Sequence, residues 1–140
     1  MKKPFLLFAL KCTVIVYFAA CTSIEKLAVS KSVTDQLVNK AAWKVNCFGN
    51  ATSDNTCIFE GYAFSFDASG KVIASKDGKT IEGHWLENNI SKTVTISFNN
   101  ANPVLNELSN YWNISSITDA GISFEKSGNK DNEKFYITAL

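Results

Sequence analysis

The chain has 140 residues, with 14 basic residues that are all lysine, 13 acidic residues and a formal net charge of +1. Without arginine it lacks the guanidinium groups that bind phosphates and base edges bidentately, and its lysines form no cluster. The composition therefore argues against nucleic-acid binding. Residues 21–140 are one domain's length, enough for a single hydrophobic core.

The N-terminal segment begins with Lys2 and Lys3, continues as an apolar stretch and ends in Phe18-Ala19-Ala20-Cys21 before polar Thr22. This order is typical of a bacterial lipoprotein signal, in which Cys21 becomes the acylated first residue of the mature protein. We therefore expect residues 1–20 to be a signal peptide, 21–31 a tether and 32–140 a folded domain.

The leader has two alternatives, simple secretion and an uncleaved membrane anchor. Residues 5–20 are shorter than the roughly 20 apolar residues of a membrane-spanning helix, and Lys11 interrupts them. The expected location is the cell envelope, with the lipid on Cys21 in the outer membrane and the domain facing either the periplasm or the exterior.

A short helix is predicted after the tether. Ser32 and Asp35 have the spacing of a capping box, and Val33, Leu37 and Ala41 share one face. We expect this helix to lie across one end of the domain.

From Trp43 onward, apolar and polar residues alternate with the period of half-buried strands. Trp43, Val45 and Cys47 are predicted to share one face of the first strand. Gly61 is interpreted as a bulge within the second strand. The predicted strands lie within residues 43–47, 57–66, 72–74, 80–86, 93–98, 112–114, 122–124 and 135–137.

Two turn signals separate these strands. Asp77-Gly78 predicts a type I′ hairpin turn, because both central residues of that turn need positive φ. Asn102-Pro103 predicts a helix cap and first helical position, with Leu105 and Leu108 on the buried side. The pattern predicts an all-β fold: an antiparallel, up-and-down barrel of about eight strands, with an N-terminal helix and a short helix before the sixth strand.

Cys47 and Cys57 remain after Cys12 leaves with the signal and Cys21 takes the lipid. In an oxidising compartment they are expected to form a disulfide across two hairpin strands, with free thiols as the alternative. Two cysteines and one histidine at unrelated spacings do not predict a metal site.

Several aromatic and glycine motifs occur in the order and spacing found in small lipocalin-like lipoproteins of Bacteroidetes. They are Trp43-Lys44-Val45, Phe59-Glu60-Gly61-Tyr62-Ala63-Phe64-Ser65-Phe66, Gly83-His84-Trp85, Leu105-Asn106-Glu107-Leu108 and Tyr111-Trp112-Asn113-Ile114. The chain resembles that family over roughly residues 43–140. The resemblance implies a calycin-type barrel on a lipidated N-terminus.

Large side chains of the predicted barrel either line a pocket for a small apolar ligand or fill the interior. Glu60 would face that interior if Gly61 were not a bulge, and a bulge would turn it outward. The candidate ligand-binding residues are Trp43, Glu60, Tyr62, Phe64, Trp85, Phe98 and Trp112.

No nucleophile elbow, phosphate loop or metal-ligand spacing occurs, so we expect no enzymatic activity, no catalytic residue and no cofactor. His84, the one histidine, is predicted to be a surface strand residue. Two functions remain open. A hollow barrel would bind a small apolar or amphipathic molecule, and a solid one would bind an envelope protein through loops 99–102 and 127–133.

Overall fold

The computed structural model describes residues 32–99, 102–128 and 130–140. The predicted signal and tether, including Cys21, lie outside these ranges. The described elements are α1 (Val33–Val38), β1 (Trp43–Asn50), β2 (Ser53–Asp54), a 3-10 turn (Thr56–Phe59), β3 (Ala63–Phe66), β4 (Lys71–Lys76), β5 (Lys79–Asn88), β6 (Thr93–Phe98), α2 (Pro103–Leu108), β7 (Asn110–Ile117), β8 (Gly121–Lys126) and β9 (Lys134–Ala139).

The strands form a closed antiparallel barrel, which confirms the predicted fold class. The strands from β3 to β9 each pair with the next one in sequence, and β9 pairs with β1 to close the cylinder. The two-residue strand β2 pairs with β1 alone, so eight strands make up the wall. The seam between β1 and β3 is narrow, because Trp43 opposite Phe64 is its one described strand pair.

The first strand departs from strict alternation. Its register with β9 shifts between Val45 and Cys47, as it does at a bulge. After the shift Phe48 points inward and is buried, whereas Cys47 is only half-buried. The prediction that Cys47 shares the inner face with Trp43 and Val45 is therefore wrong.

The segment predicted as one strand over residues 57–66 is a 3-10 turn followed by the four-residue strand β3. Gly61 has a φ of +80° and lies in the connection between them, not in a bulge. Glu60 precedes it and is exposed. Tyr62 N–H donates to the Phe59 carbonyl at 3.0 Å and completes this tight connection.

The predicted hairpin turn at Asp77-Gly78 is confirmed. Its two residues have φ values of 51° and 72°, and β4 and β5 pair up to Lys76 opposite Lys79. Asp77 tolerates the left-handed region and Gly78 has no Cβ to oppose it, so the sequence dictates the turn locally.

A short helix lies at each end of the barrel. α1 begins at the cap Ser32, whose Oγ accepts the Thr34 N–H at 3.2 Å, and its Val33 and Leu37 are fully buried. Ala41, predicted on the same face, lies beyond the helix and is exposed.

Gln36 of α1 donates to the Thr118 carbonyl at 2.6 Å, in the turn between β7 and β8. This contact fixes α1 against the end of the barrel at which β1 begins. Within the described ranges, no helix has the length and apolar character needed to cross a membrane.

At the opposite end, Asn102 caps α2 as predicted, with its Oδ1 accepting the N–H groups of Val104 and Leu105 at 3.0 and 3.2 Å. Pro103 occupies the first helical turn, where its missing N–H costs no hydrogen bond. Leu105 and Leu108 are buried, also as predicted, and turn α2 onto the barrel core.

One hydrophobic core fills the space between the two helices. Each of the eight wall strands contributes at least one buried apolar side chain. Trp43, Trp85 and Trp112 all belong to this core and are at most 6% exposed. Among the described residues, no polar or charged side chain is buried.

Candidate functional site

The aromatic rings inside the barrel form a continuous series of contacts, each ring touching the next. Phe124 stacks on Phe135 with 4.4 Å between ring centroids, and Phe135 meets Trp112 edge-on at 4.5 Å. Trp112 lies 6.4 Å from Phe48, which contacts Phe59 at 4.9 Å. These are the stacked and edge-on geometries that aromatic pairs prefer in packed cores.

The run continues to the α2 end of the barrel. Phe59 lies 6.5 Å from Phe64, and Phe64 stacks on Tyr62 at 5.9 Å. Tyr62 is half-buried, and its hydroxyl accepts from Asn102 Nδ2 at 3.1 Å, next to α2. The Lys76 ammonium lies 4.9 Å from the Tyr62 ring centroid and covers its other side.

A second aromatic pair, Phe66 with Trp85, lies towards the α1 end, whereas Phe98 is the last residue of β6 and lies at the α2 end. The rings of Phe66 and Trp85 meet edge-on at 5.6 Å. Phe98 lies over Gly83, where a Cβ would come within 2.6 Å of the Phe98 ring. Gly83 therefore gives Phe98 the room to pack closely against β5.

The indole N–H groups of the three tryptophans are all satisfied by backbone carbonyls. Trp43 donates to Leu37 at 3.1 Å and Trp112 to Leu108 at 2.9 Å, so each of these bonds joins a strand to the helix before it. Trp85 donates to Asp67 at 3.1 Å in the turn between β3 and β4. None of these three donors is left for a ligand.

The candidate ligand-binding residues therefore fall into two groups. The structure brings Trp43, Tyr62, Phe64, Trp85, Phe98 and Trp112 into or against the common core. Glu60 is exposed and lies outside that core, as the bulge interpretation expected, although a turn rather than a bulge directs it outward. His84 is likewise exposed, on the outer face of β5.

Sequence reasoning missed Glu87. Its carboxylate binds the start of α1, accepting Ser32 Oγ at 2.8 Å, Val33 N–H at 3.1 Å, and Thr34 N–H and Oγ1 at 2.8 and 2.6 Å. Burial raises the pKa of Glu87, but the hydrogen bonds, led by those from Thr34, outweigh burial and leave the pKa below its ordinary value.

The position of Glu87 has a simple signal in the sequence. It continues the alternation of Gly83 and Trp85, which both face the interior, and it lies opposite the buried Val94. At the end of a strand, this inward carboxylate meets the N-terminus of a helix, where unpaired N–H groups favour negative charge.

The expected Cys47–Cys57 disulfide is not formed, because Cys57 has a free, exposed thiol. The β1–β2 ladder ends at Gly49 opposite Asp54, before it reaches either cysteine. Cys57 then enters the 3-10 turn, whereas Cys47 lies opposite Tyr136 of β9. Within the described parts of the chain, no group of three or more His, Cys, Asp or Glu side chains could hold a metal ion.

The two loops predicted to meet a partner leave the barrel at one end. Residues 99–102 connect β6 to α2, and residues 127–133 connect β8 to β9. Since Trp112, near the start of β7, lies opposite Lys126 at the end of β8, both connections lie at the α2 end. Three residues of these loops, 100, 101 and 129, lie outside the described ranges.

No family profile and no curated protein matches this chain. It is similar to the crystal structure of a DUF4847 family protein from Bacteroides vulgatus, with a TM-score of 0.54 and 18% sequence identity. The match covers 74% of this chain and 95% of the Bacteroides chain. At this identity the similarity shows a shared barrel fold alone.

Proposed function

We propose that this chain is a lipid-anchored protein of the bacterial cell envelope, and that its solid barrel acts through its outer surface as an interaction module. The observation that carries the proposal is the run of contacting rings from Phe124 through Trp112 to Tyr62. Side chains that already pack against one another fill an interior. Both barrel ends also carry a helix.

The lipid anchor is argued from the leader, in which Cys21 follows Phe18-Ala19-Ala20. Acylation of Cys21 would attach the tether and the barrel to a membrane, with the outer membrane as the proposed location. Cys21→Ser should abolish incorporation of labelled fatty acid and move the protein from the membrane to the soluble fraction. Retention of label would contradict the assignment.

A hollow barrel that binds an apolar ligand is the alternative to the solid one. Such a ligand would have to separate ring pairs now in contact, for example Trp112 and Phe135 at 4.5 Å. Because all three tryptophans lie in the core, their fluorescence reports on it. We expect no saturable change on titration with hydrophobic probes or fatty acids. Stoichiometric binding would overturn the solid-core proposal.

The partner is proposed to be an envelope protein that meets the loops at the α2 end. Those loops carry Lys130, Asp131 and Glu133, which are all outside the core. Crosslinking in the native membrane, followed by affinity purification and mass spectrometry, tests this. The expected result is a partner that is lost when Lys130 and Asp131 are changed to serine and kept when the exposed Lys44 on β1 is changed. Recovery of the lipoprotein alone would contradict it.

A further inference from the structure

Three of the four exposed large apolar side chains in the described residues lie at or near the α1 end. Ile90 is 97% exposed at the tip of the β5–β6 turn, and Leu140, which follows β9, is 68% exposed. Leu86, 69% exposed, lies on β5 near the same turn, whereas Tyr111 lies elsewhere, near the start of β7.

Ile90 and Leu140 lie on opposite sides of α1. The order of strands around the barrel sets the β5–β6 turn across from the β9–β1 pair. Leu140 N–H donates to the Ala42 carbonyl at 3.0 Å, which fixes its place at this end. A flat surface placed against the α1 end would therefore meet apolar side chains on two sides.

Ile90 points outward from the β5–β6 turn, and backbone N–H groups of this turn are hydrogen-bonded within it. Asn88 Oδ1 accepts the N–H groups of Ile90 and Ser91 at 3.0 and 3.1 Å, and Ser91 shares a hydrogen bond of 2.8 Å with Thr93. The turn can therefore contact an apolar phase without leaving these backbone donors unpaired.

The two ends of the barrel differ in what their turns present. The turns at the α1 end expose Ala68, Ile90 and Ala120. The opposite end exposes Asp77, between Lys76 and Lys79, and the charged loop 127–133. Charged groups also lie around the α1 end, namely Asp35, Lys40, Asp67, Lys92 and Asp119.

Those charges are mixed in sign, so contact at the α1 end would depend on apolar burial more than on net charge. Asp67 is further engaged locally, since its Oδ1 accepts from Ser69 Oγ at 2.6 Å and from the Ser69 N–H at 2.9 Å. Lys92 is exposed in the turn that carries Ile90, and a lysine beside a bilayer is attracted to anionic lipid headgroups.

The described chain begins at this end. Ser32 is hydrogen-bonded to Glu87, three residues before Ile90. Residues 22–31 separate Ser32 from Cys21, and ten residues reach at most about 35 Å when fully extended. An anchor on Cys21 therefore leaves the β5–β6 turn within reach of the bilayer, at the end of the barrel where the tether joins it.

We propose that the α1 end of the barrel docks on the phospholipid bilayer that holds the anchor, with Ile90 inserted into the interface beside the tether. This inference rests on the lipid anchor of the proposed function. It turns the α2 end, with loops 99–102 and 127–133, away from the membrane. The orientation matches a protein that presents those loops to a partner.

The test uses lipidated protein in vesicles of phosphatidylethanolamine and phosphatidylglycerol, with an environment-sensitive dye on one thiol. The dye is placed on Ile90→Cys in a Cys57→Ser background. The matched control is the natural Cys57, which is free, exposed and at the α2 end. We expect a blue shift and strong quenching by lipid-borne quenchers at position 90, and neither at position 57.

Flotation of the same vesicles tests the lipid anchor separately from the docking of the α1 end. Protein that floats while the dye at position 90 stays in water overturns the docking inference and leaves the anchor standing. Protein that does not float overturns the anchor and the docking with it. A dye that is shielded only when other envelope proteins are present also overturns bilayer docking, and identifies a protein interface instead.

Discussion

Glu87 and Thr34 are joined by two hydrogen bonds, in which the carboxylate accepts the Thr34 backbone N–H at 2.8 Å and its hydroxyl at 2.6 Å. These two bonds join the end of β5 to the first turn of α1. Since α1 closes this end of the barrel, one inward carboxylate holds the start of the helix that covers the core.

We expect Glu87→Gln to lower the free energy of unfolding by about 1–3 kcal/mol, because an amide cannot accept all the donors that the carboxylate does. Urea denaturation measures the change. The control is Glu82→Gln, which removes an exposed ion pair in which the Lys71 Nζ lies 3.2 Å from the Glu82 carboxylate. This variant should lower the free energy of unfolding by less than about 1 kcal/mol. Equal effects of the two variants would contradict the role of Glu87.

The same carboxylate predicts a dependence of stability on pH. Because the pKa of Glu87 is lower in the folded protein than in the unfolded chain, its contribution is complete above the unfolded pKa. It is lost as pH falls through the folded pKa. We expect the stability gap between the natural protein and Glu87→Gln to hold from about pH 7 to 5 and to narrow below about pH 4. A gap that widens in acid would refute this.

Gly83→Ala should destabilise the barrel by about 1–3 kcal/mol, because the new methyl group would lie 2.6 Å from both the Phe98 ring and the Ser97 carbonyl oxygen. Thermal and urea unfolding measure the cost. Adding Phe98→Leu should recover part of it by giving the methyl group room. If the two substitutions were simply additive, the clash with Phe98 would not be the cause.

Trp112→Phe should also cost about 1–3 kcal/mol, since it leaves the Leu108 carbonyl without the indole donor at 2.9 Å and shrinks a fully buried ring. The neighbouring Tyr111→Phe, on an exposed side chain, serves as the control and should change little. Unchanged unfolding of Trp112→Phe would show that Leu108 finds another donor.

Cys57→Ser should change stability by less than about 0.5 kcal/mol, because the free thiol is exposed. A disulfide closing so short a loop would contribute about 2–3 kcal/mol. Under non-reducing conditions, alkylation and peptide mass spectrometry should find Cys57 modified. A protected Cys57 together with a large loss of stability in the variant would restore the disulfide hypothesis.

The parts of the fold that could be predicted are those with local causes. Asp77-Gly78 and Asn102-Pro103 carry their turn and cap geometry in their own backbone preferences. The tryptophans Trp43, Trp85 and Trp112 fall at inward positions where the residues around them alternate, so their meeting in one core followed from the pattern.

The errors arose where the wall departs from regular pairing. The shift after Val45 replaced Cys47 by Phe48 on the inner face, and nothing near Cys47 marks that shift. Residues 57–59 are apolar enough to resemble a strand, yet together with Thr56 they form a 3-10 turn with Phe59 in the core. Tertiary packing, not the local sequence, decides where a strand shifts its register and whether an apolar segment forms a strand or a 3-10 turn.

The sequence could predict where the candidate ligand-binding side chains lie, but not whether they line a pocket or fill the interior. Alternation placed the rings inside, but only distances such as the 4.4 Å between Phe124 and Phe135 show that they pack on one another. Glu87 was missed because its partners on α1 are more than fifty residues away in sequence, where no local pattern reaches.

The narrow seam between β1 and β3 has a consequence for the order of folding. Strands β3 to β8 can each find a partner as soon as the next hairpin is made, whereas β1 gains most of its ladder from β9, near the far end of the chain. Such long-range pairing is slow because a large loop must close first. A ribosome or a translocation channel would therefore release an open meander of antiparallel strands. The pairing of β9 with β1, which closes the barrel, would be the last step of folding.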